Sequence, residues 1–143
     1  MTKSFTKKQI DIINLHRIAR MATVDKLGKP LVVPICFAFD GSFIYSPIDK
    51  KPKSVSAGKL KRIRNIINNP NISLVIDEYL ENWSMLYYLI IQGTAEIIDE
   101  GEEYENSLSM LSKKYDQYRE MGLESLGAPV IKITPDKIIS WNN

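Results

Sequence analysis

The sequence predicts a mainly β protein in which about six antiparallel strands close into a small barrel with flanking helices. Three observations predict this fold. Short β-branched and aromatic runs follow one another across tight turns. Helices do not alternate with strands, as a parallel sheet would require, and barrel closure removes exposed sheet edges. The 143 residues, 44% hydrophobic and 25% charged, suit one domain with its own core. We therefore predict a single domain over residues 1–143.

A capped helix and a three-stranded meander are predicted first. Thr6, with Gln9 three residues later, indicates a capping box at the start of a helix over about 6–19. The turn at 25–29 and the pair Asp40-Gly41 then separate three extended runs. These runs lie at 21–24, 31–39 and 42–46.

Two helices and three further strands make up the rest of the chain. Pro47, Pro52 and Gly58 exclude regular structure from a polar segment that ends near residue 58. Helices are predicted at about 59–68 and, with an acidic amphipathic pattern, at about 102–118. The remaining extended runs lie at 72–79, 85–98 and 130–141.

The net charge of +2 conceals a basic segment at 50–64. It carries seven basic residues and no acid, whereas the rest of the chain has 12 basic and 17 acidic residues. The seven are Lys50, Lys51, Lys53, Lys59, Lys61, Arg62 and Arg64. A Ser/Gly loop leads into the helix here, so its free N–H groups and cations predict a phosphate site. The alternative is a solvated basic helix.

Other partners and chemistries fit the sequence less well. No aromatic lies between Tyr45 and Tyr79, and the remaining chain is acidic, so we predict no nucleic-acid partner. A single histidine, His16, and a single cysteine, Cys36, exclude an intrachain disulfide and a Cys/His zinc site. We expect His16 on the helix surface or at an interface, and Cys36 as a small buried hydrophobe. No catalytic side chain and no metal site are predicted.

Two further patterns bear on location and on ligand shape. The longest apolar run, 85–91, has seven residues, and the polar N-terminus lacks a signal-peptide pattern. We therefore expect no membrane partner and a cytoplasmic location. An aromatic cluster spans 79–88, with Trp83 at its centre. Such a cluster either packs in a core or interface, or stacks on a flat ligand.

Several motifs, taken in order, resemble the flavin-binding split-barrel proteins related to pyridoxamine 5′-phosphate oxidase. The motifs are Arg-Met-Ala-Thr-Val-Asp at 20–25, Gly-Lys-Pro-Leu-Val-Val-Pro at 28–34, Phe-Ala-Phe-Asp-Gly at 37–41, Ile-Tyr-Ser at 44–46, Lys-Arg-Ile-Arg-Asn-Ile at 61–66, Asn-Pro at 69–70 and Ile-Gln-Gly-Thr-Ala at 91–95. Within that superfamily, the segments 49–53, 60–65 and 83–86 look most like a small branch of probable coenzyme F420-dependent oxidoreductases.

The resemblance implies a six-stranded antiparallel split barrel that forms a homodimer, with one cofactor in each of two clefts between the subunits. Residues along the cofactor's ring and ribityl chain would be Val33, Pro34, Tyr45, Ser46, Pro47 and Ile48. Lys61 and Arg62 would bind its phosphate, and Lys53 and Lys59 belong to the same anionic end. The second subunit would contribute Trp83 and Gln92.

We therefore predict an oxidoreductase in which coenzyme F420, or alternatively FMN, transfers a hydride to or from a small organic substrate. Seven cations exceed what one phosphate needs, which favours F420, whose tail carries a phosphodiester and several carboxylates. The alternative function is a carrier of a flavin cofactor without turnover of its own. The sequence ends at Trp141-Asn-Asn and lacks the arginine- and histidine-bearing substrate motif of pyridoxamine phosphate oxidases, so we do not expect oxidation of vitamin B6 phosphates.

Overall fold

The structure is a computed structural model that describes residues 4–48 and 60–142. Its helices are α1 (Lys7–Leu15), α2 (Lys61–Asn68), α3 (Glu102–Lys114) and α4 (Asp116–Glu120). Its strands are β1 (Ala19–Val24), β2 (Pro30–Ile35), β3 (Ala38–Phe39), β4 (Ile44–Pro47), β5 (Asn71–Glu78), β6 (Tyr87–Ile98) and β7 (Val130–Asn142). The predicted site residues Lys53 and Lys59 lie outside the described residues.

The strands form one antiparallel sheet in the order β2-β1-β5-β6-β7-β4-β3. Its two edge strands, β2 and β3, are joined by only Cys36 and Phe37. Laid flat, seven strands would span about 29 Å, which two residues cannot bridge, so the sheet must curl. This confirms the mainly β, split-barrel prediction. The sheet has seven strands rather than six because the run predicted at 31–39 is interrupted at Cys36 and Phe37.

Two hydrophobic cores lie on opposite faces of the curled sheet. The interior core consists of Ile13, Ala19, Met21, Ile35, Phe37, Ile44, Ile48, Ile63, Ile66, Ile72, Leu74, Ile76, Leu89, Ile91, Ala95, Ile131 and Ile133. The outer core consists of Ala38, Tyr45, Tyr104, Leu108, Leu111, Tyr118, Leu123, Ala128 and Val130. Successive strand residues point to opposite faces, so β4 and β7 contribute to both cores. Helices α3 and α4 therefore cover the outer face of the sheet at β3, β4 and β7.

The helices begin close to where the sequence predicts them. The first and third predicted helices end earlier, whereas α2 ends at residue 68, as predicted. Thr6 and Gln9 form the predicted capping box, with Gln9 N–H donating to Thr6 Oγ1 at 3.1 Å and Thr6 N–H donating to Gln9 Oε1 at 2.9 Å. α1 ends at Leu15 because His16 has extended backbone. The helix predicted at 102–118 is divided into α3 and α4 because Tyr115 is extended. Among the described residues, no helix is both long and apolar enough to span a membrane.

Candidate functional site

Helix α2 packs against the hairpin of β1 and β2, and this contact fixes its basic first turn. The buried Asn65 side-chain amide donates to Thr23 Oγ1 at 2.9 Å. Lys61 Nζ pairs with Asp25 Oδ2, in the hairpin turn, at 3.3 Å. A hydrogen bond from the Lys29 main-chain N–H holds the pKa of Asp25 below its usual value, and Lys61 adds to the effect. The hairpin therefore holds α2 by a buried hydrogen bond from β1 and an ion pair from the turn.

Arg62 lies beside Lys61 and carries a buried donor with no partner. Its side chain is half-buried, and its Nε atom makes no hydrogen bond within the part of the chain that the structure describes. A buried donor left unpaired costs about 1–3 kcal/mol, and more when the group is charged. An anionic acceptor placed against this guanidinium would therefore be bound favourably.

A cavity of about 300 Å³ opens next to this first turn of α2. Its lining residues are Asp25, Lys26, Leu27, Lys61, Arg64, Asn65 and Asn68. The lining contains three cations and one acid, and that acid is already paired with Lys61. The cavity therefore presents a net positive charge and suits an anionic ligand group.

The predicted strand residues divide between the two faces of the sheet. Val33 packs partly against the interior core and Ile48 is fully buried in it, whereas Pro34 is exposed on the outside of β2. Ser46 and Pro47 are buried in β4. Ile63 of α2 belongs to the same interior core as Ile48, and Val33 packs against that core.

Tyr45 points away from that cluster. Its hydroxyl donates to Glu103 Oε2 at 2.6 Å and lies 3.4 Å from Asp40 Oδ2. Glu103 also pairs with Lys132 Nζ at 2.7 Å. Burial, and then the hydrogen bond to Glu103, raise the pKa of Tyr45 well above its usual value. The structure thus places Tyr45 in the outer core beside α3, apart from Val33 and Ile48.

The two residues expected from a second subunit are exposed. Gln92 lies on the outside of β6, in register between Ser73 of β5 and Lys137 of β7. Trp83 lies in a short 3₁₀ turn before β6, is 63% exposed, and donates from its ring N–H to the Tyr79 hydroxyl at 3.3 Å. Both are accessible to another chain, and their role at a shared cleft stays a prediction.

The structure also shows a polar cluster at the break between β2 and β3 that the sequence did not indicate. The Tyr115 hydroxyl accepts from the Phe37 main-chain N–H at 3.0 Å and lies 2.7 Å from the carbonyl oxygen of Arg17. Cys36, expected to be buried, is half-buried here. These residues are about 20 to 98 positions apart, and no local spacing relates them.

His16 and the metal prediction can be compared with the structure directly. His16 is half-buried, and its Nε2 atom lies 2.6 Å from the Tyr87 hydroxyl, so it ends α1 and joins that helix to β6. Within the described ranges, no group of three or more His, Cys, Asp or Glu side chains could hold a metal ion.

Comparisons with known proteins give a family match and a shared fold. A family model described as pyridoxamine 5′-phosphate oxidase matches residues 5–142. General stress protein 26 of Bacillus subtilis (strain 168) is 26% identical over 136 residues, which cover 95% of this chain and 87% of that protein. The 5a,11a-dehydrotetracycline/5a,11a-dehydrooxytetracycline reductase of Streptomyces rimosus is 26% identical over 98 residues, 68% of this chain and 66% of that protein. A crystal structure of a conserved hypothetical protein from Mycobacterium tuberculosis superposes with a TM-score of 0.76 at 21% identity, covering 99% of this chain and 90% of that one.

Proposed function

The chain belongs to the pyridoxamine 5′-phosphate oxidase family, and from this premise we propose that it is an oxidoreductase that uses coenzyme F420, or FMN in its place. The observation that carries the proposal is the buried Nε of Arg62 at the first turn of α2, which has no hydrogen-bond partner within residues 4–48 and 60–142. When bound, such a cofactor accepts or donates the hydride that is exchanged with a small organic substrate. The similarity to a 5a,11a-dehydrotetracycline reductase supports redox chemistry in this family.

Arg62 and Lys61 would hold the anionic end of the cofactor. A charge-assisted hydrogen bond to phosphate contributes about 1.5–3 kcal/mol, and Arg62 has such a donor free. Lys61 is half exposed and paired with Asp25 at 3.3 Å. Because ion pairs of that kind contribute only about 0–1 kcal/mol, Lys61 can exchange Asp25 for a ligand phosphate at little cost.

The charge around the cavity beside α2 favours F420 over FMN. A single phosphate is satisfied by two or three cationic partners. Lys61, in the lining, and Arg62, which follows it in α2 but does not line the cavity, would supply two. Lys26 and Arg64 add two further positive charges to the lining. A longer tail with several anionic groups would use these charges, whereas the single phosphate of FMN would leave them to solvent.

The remaining site residues would position the cofactor rather than react with it. Val33, which is partly buried against the interior core, would offer an apolar wall, and the fully buried Ile48 would support that wall from behind. Such a wall orients a flat ring and excludes water, and both effects favour hydride transfer without an acid or base from the protein. Tyr45 contributes indirectly, because it anchors β4 to Glu103 of α3.

We extend the proposal to a homodimer whose interface is the uncovered outside of β2, β1, β5 and β6. The strand register aligns Pro34, Arg20, Val75 and Ile90 in one row across these four strands. Val32, on the same face of β2, is 60% exposed. A mixed row of apolar residues with one charge is typical of a protein interface, and Gln92 on this face would then reach a partner's cleft.

The first experiment is a fluorescence titration of the purified protein, freed of cofactor, with F420 and with FMN. We expect F420 to bind at micromolar concentration or tighter, and FMN more weakly. Arg62→Gln should weaken binding of the preferred cofactor at least tenfold, about 1.4 kcal/mol, because the unpaired donor is lost. Arg119→Gln is the matched control, since it removes an exposed arginine of α4 that is paired with Asp116.

Each outcome of the titration has a definite meaning. Equal affinities of the Arg62→Gln and wild-type proteins would contradict the site. If neither cofactor binds, the proposed function is wrong and the cavity must serve another anion. A bound cofactor that reduces no quinone, enone or other small acceptor would favour the alternative, a cofactor carrier without turnover.

A further inference from the structure

Lys114, the last residue of α3, carries an amine in an unusual setting at the break between β2 and β3. Its Nζ atom lies 3.8 Å from the centre of the Phe37 ring and 5.4 Å from that of Tyr115. Phe37 is fully buried in the interior core, so the amine rests on the edge of that core. Among the residues that the structure describes, Lys114 Nζ forms no ion pair and no hydrogen bond.

Burial and a neighbouring like charge disfavour the charged form of this amine, while the ring faces of Phe37 and Tyr115 partly oppose them. Burial lowers the pKa of Lys114 to about 8, and the positive charge of Arg17 acts in the same direction, while Cys36 opposes them. Arg17 is held close because its guanidinium donates to the main-chain carbonyl of Lys114 and lies over the Tyr115 ring. A substantial fraction of Lys114 is therefore an uncharged nucleophile at mildly alkaline pH, whereas an ordinary lysine is almost fully protonated.

A cavity of about 340 Å³ gives small molecules access to Lys114. It is lined by Asn14, Ala38, Phe39, Met110, Lys113 and Lys114. The lining contains no acid, and Lys113 adds an exposed positive charge at the rim. With Arg17 beside Lys114, the cavity attracts a small anion towards an amine that can attack it.

We propose that Lys114 is a site of N-acylation by small acyl phosphates that enter this cavity. The phosphate would lie against Lys113 and Arg17 while the Lys114 nitrogen attacks the acyl carbon. A C–N bond forms, the C–O bond to phosphate breaks, and phosphate leaves with that electron pair. The proton lost by the amine goes to solvent, so the products are an amide and inorganic phosphate.

The test compares Lys114 with its neighbour Lys113 under acetyl phosphate, using the full chain. Cleavage after Glu105 and Glu120 releases a peptide, 106–120, whose only lysines are these two. Lys113→Arg leaves Lys114 as the sole acceptor in that peptide, and Lys114→Arg leaves Lys113. At neutral pH we expect Lys114 to acetylate at least about fivefold faster by mass spectrometry, although exposure alone would favour Lys113.

Two further measurements test whether the folded structure causes the faster acetylation of Lys114. The rate at Lys114 should level off above about pH 8. In concentrated urea the two rates should become equal, because Arg17, Cys36, Tyr115 and the Phe37 ring no longer surround the amine. Equal rates in the folded protein, or a difference that persists in urea, would overturn the proposal. Unchanged melting temperatures of both variants confirm that each is folded.

Discussion

The Tyr45 hydroxyl lies between two carboxylates, 2.6 Å from Glu103 and 3.4 Å from Asp40. A phenol donates one hydrogen bond, so the short contact goes to Glu103. Burial and both acids raise the pKa of Tyr45, so the hydroxyl stays protonated at physiological pH. At the scale of single residues, the protonated Tyr45 hydroxyl holds α3 against β4 through its hydrogen bond to Glu103. Lys132 of β7 neutralises the charge of Glu103.

Glu103→Gln should lower the free energy of unfolding at neutral pH by about 0.5–1 kcal/mol. The hydrogen bond from Lys132, and then that from Tyr45, lower the pKa of Glu103 below its model-peptide value of 4.5. A depressed carboxyl pKa stabilises the folded state above the unfolded pKa, and this stability is lost as pH falls through the folded pKa. Urea unfolding at several pH values should therefore show the variant losing less stability than the wild type below about pH 4.5.

Glu102→Gln is the control for this prediction. Glu102 is exposed, begins α3 beside Glu103 and lines the same cavity as Tyr45. Its replacement should change the free energy of unfolding by less than about 0.5 kcal/mol and leave the acid dependence as in the wild type. If Glu103→Gln and the wild type lose stability in parallel below pH 4.5, the network around Tyr45 does not contribute as we argue.

Local spacing explains which residue-level features the sequence predicts. Thr6 and Gln9 are three positions apart, and the structure confirms their capping box. Tyr45 and Glu103 are 58 positions apart, and they meet only because α3 packs on β4. A single sequence contains no pattern that relates such positions. For the same reason, the sequence cannot show that Tyr45 points into the outer core, and the family resemblance alone assigns it to the cofactor.

At the scale of elements, the existence of strands follows from composition, but their interruptions follow from tertiary contacts. The runs predicted at 85–98 and 130–141 are β6 and β7 to within two residues. The break at Cys36 and Phe37 depends on Tyr115, whose hydroxyl accepts from the Phe37 N–H that no strand partner reaches. Tyr115 also has extended backbone, which divides the helix predicted at 102–118 into α3 and α4. Both differences from the sequence prediction therefore occur where Tyr115 reaches Phe37.

Gly93→Ala should lower the free energy of unfolding by about 2–3 kcal/mol. Gly93 lies at a register shift between β6 and β7. A Cβ at this position would lie 2.1 Å from the Thr134 carbonyl oxygen and 3.0 Å from Pro135 Cα. Both atoms belong to the backbone of the partner strand and cannot turn aside, so the strands must separate. Urea unfolding monitored by circular dichroism measures the loss.

Gly127→Ala separates steric overlap from the ordinary effect of replacing glycine. Gly127 has a φ of +65° and no atom within 4 Å of its added Cβ, so only backbone strain is introduced. That strain costs about 1 kcal/mol. A loss at Gly93 no larger than the loss at Gly127 would show that β7 yields to the added methyl group, contrary to our argument.

At the scale of the whole molecule, the outer face of the sheet is covered on one half only. Helices α3 and α4 cover β3, β4 and β7 through the outer core. On the other half, Val32 is 60% exposed. At the C-terminal end of β7, outside the outer core, Trp141 stacks on Tyr88 of β6 with ring centres 5.4 Å apart, and the two remain 42% and 36% exposed. The sequence predicts the fold class correctly. The alternation of apolar and polar residues along a strand, however, does not distinguish a sheet face that a helix covers from one that a second chain covers. The homodimer therefore stays a prediction.

Val32→Glu should convert the proposed dimer into a monomer, because dimerisation would bury an unpaired charge at the interface. The dissociation constant of the dimer should rise at least tenfold, about 1.4 kcal/mol. Light scattering after size-exclusion chromatography measures the mass. Leu126→Glu is the control: Leu126 is 43% exposed and follows the short turn 123–125 on the covered half, so this variant should stay dimeric. A dimeric Val32→Glu protein would contradict the assigned face, and a monomeric wild type would contradict the dimer.

Because the proposed clefts lie between subunits, monomeric Val32→Glu should also bind F420 or FMN more weakly than Leu126→Glu does. If both variants bind the cofactor equally, one chain forms the whole site, and Gln92 and Trp83 do not complete it from the partner.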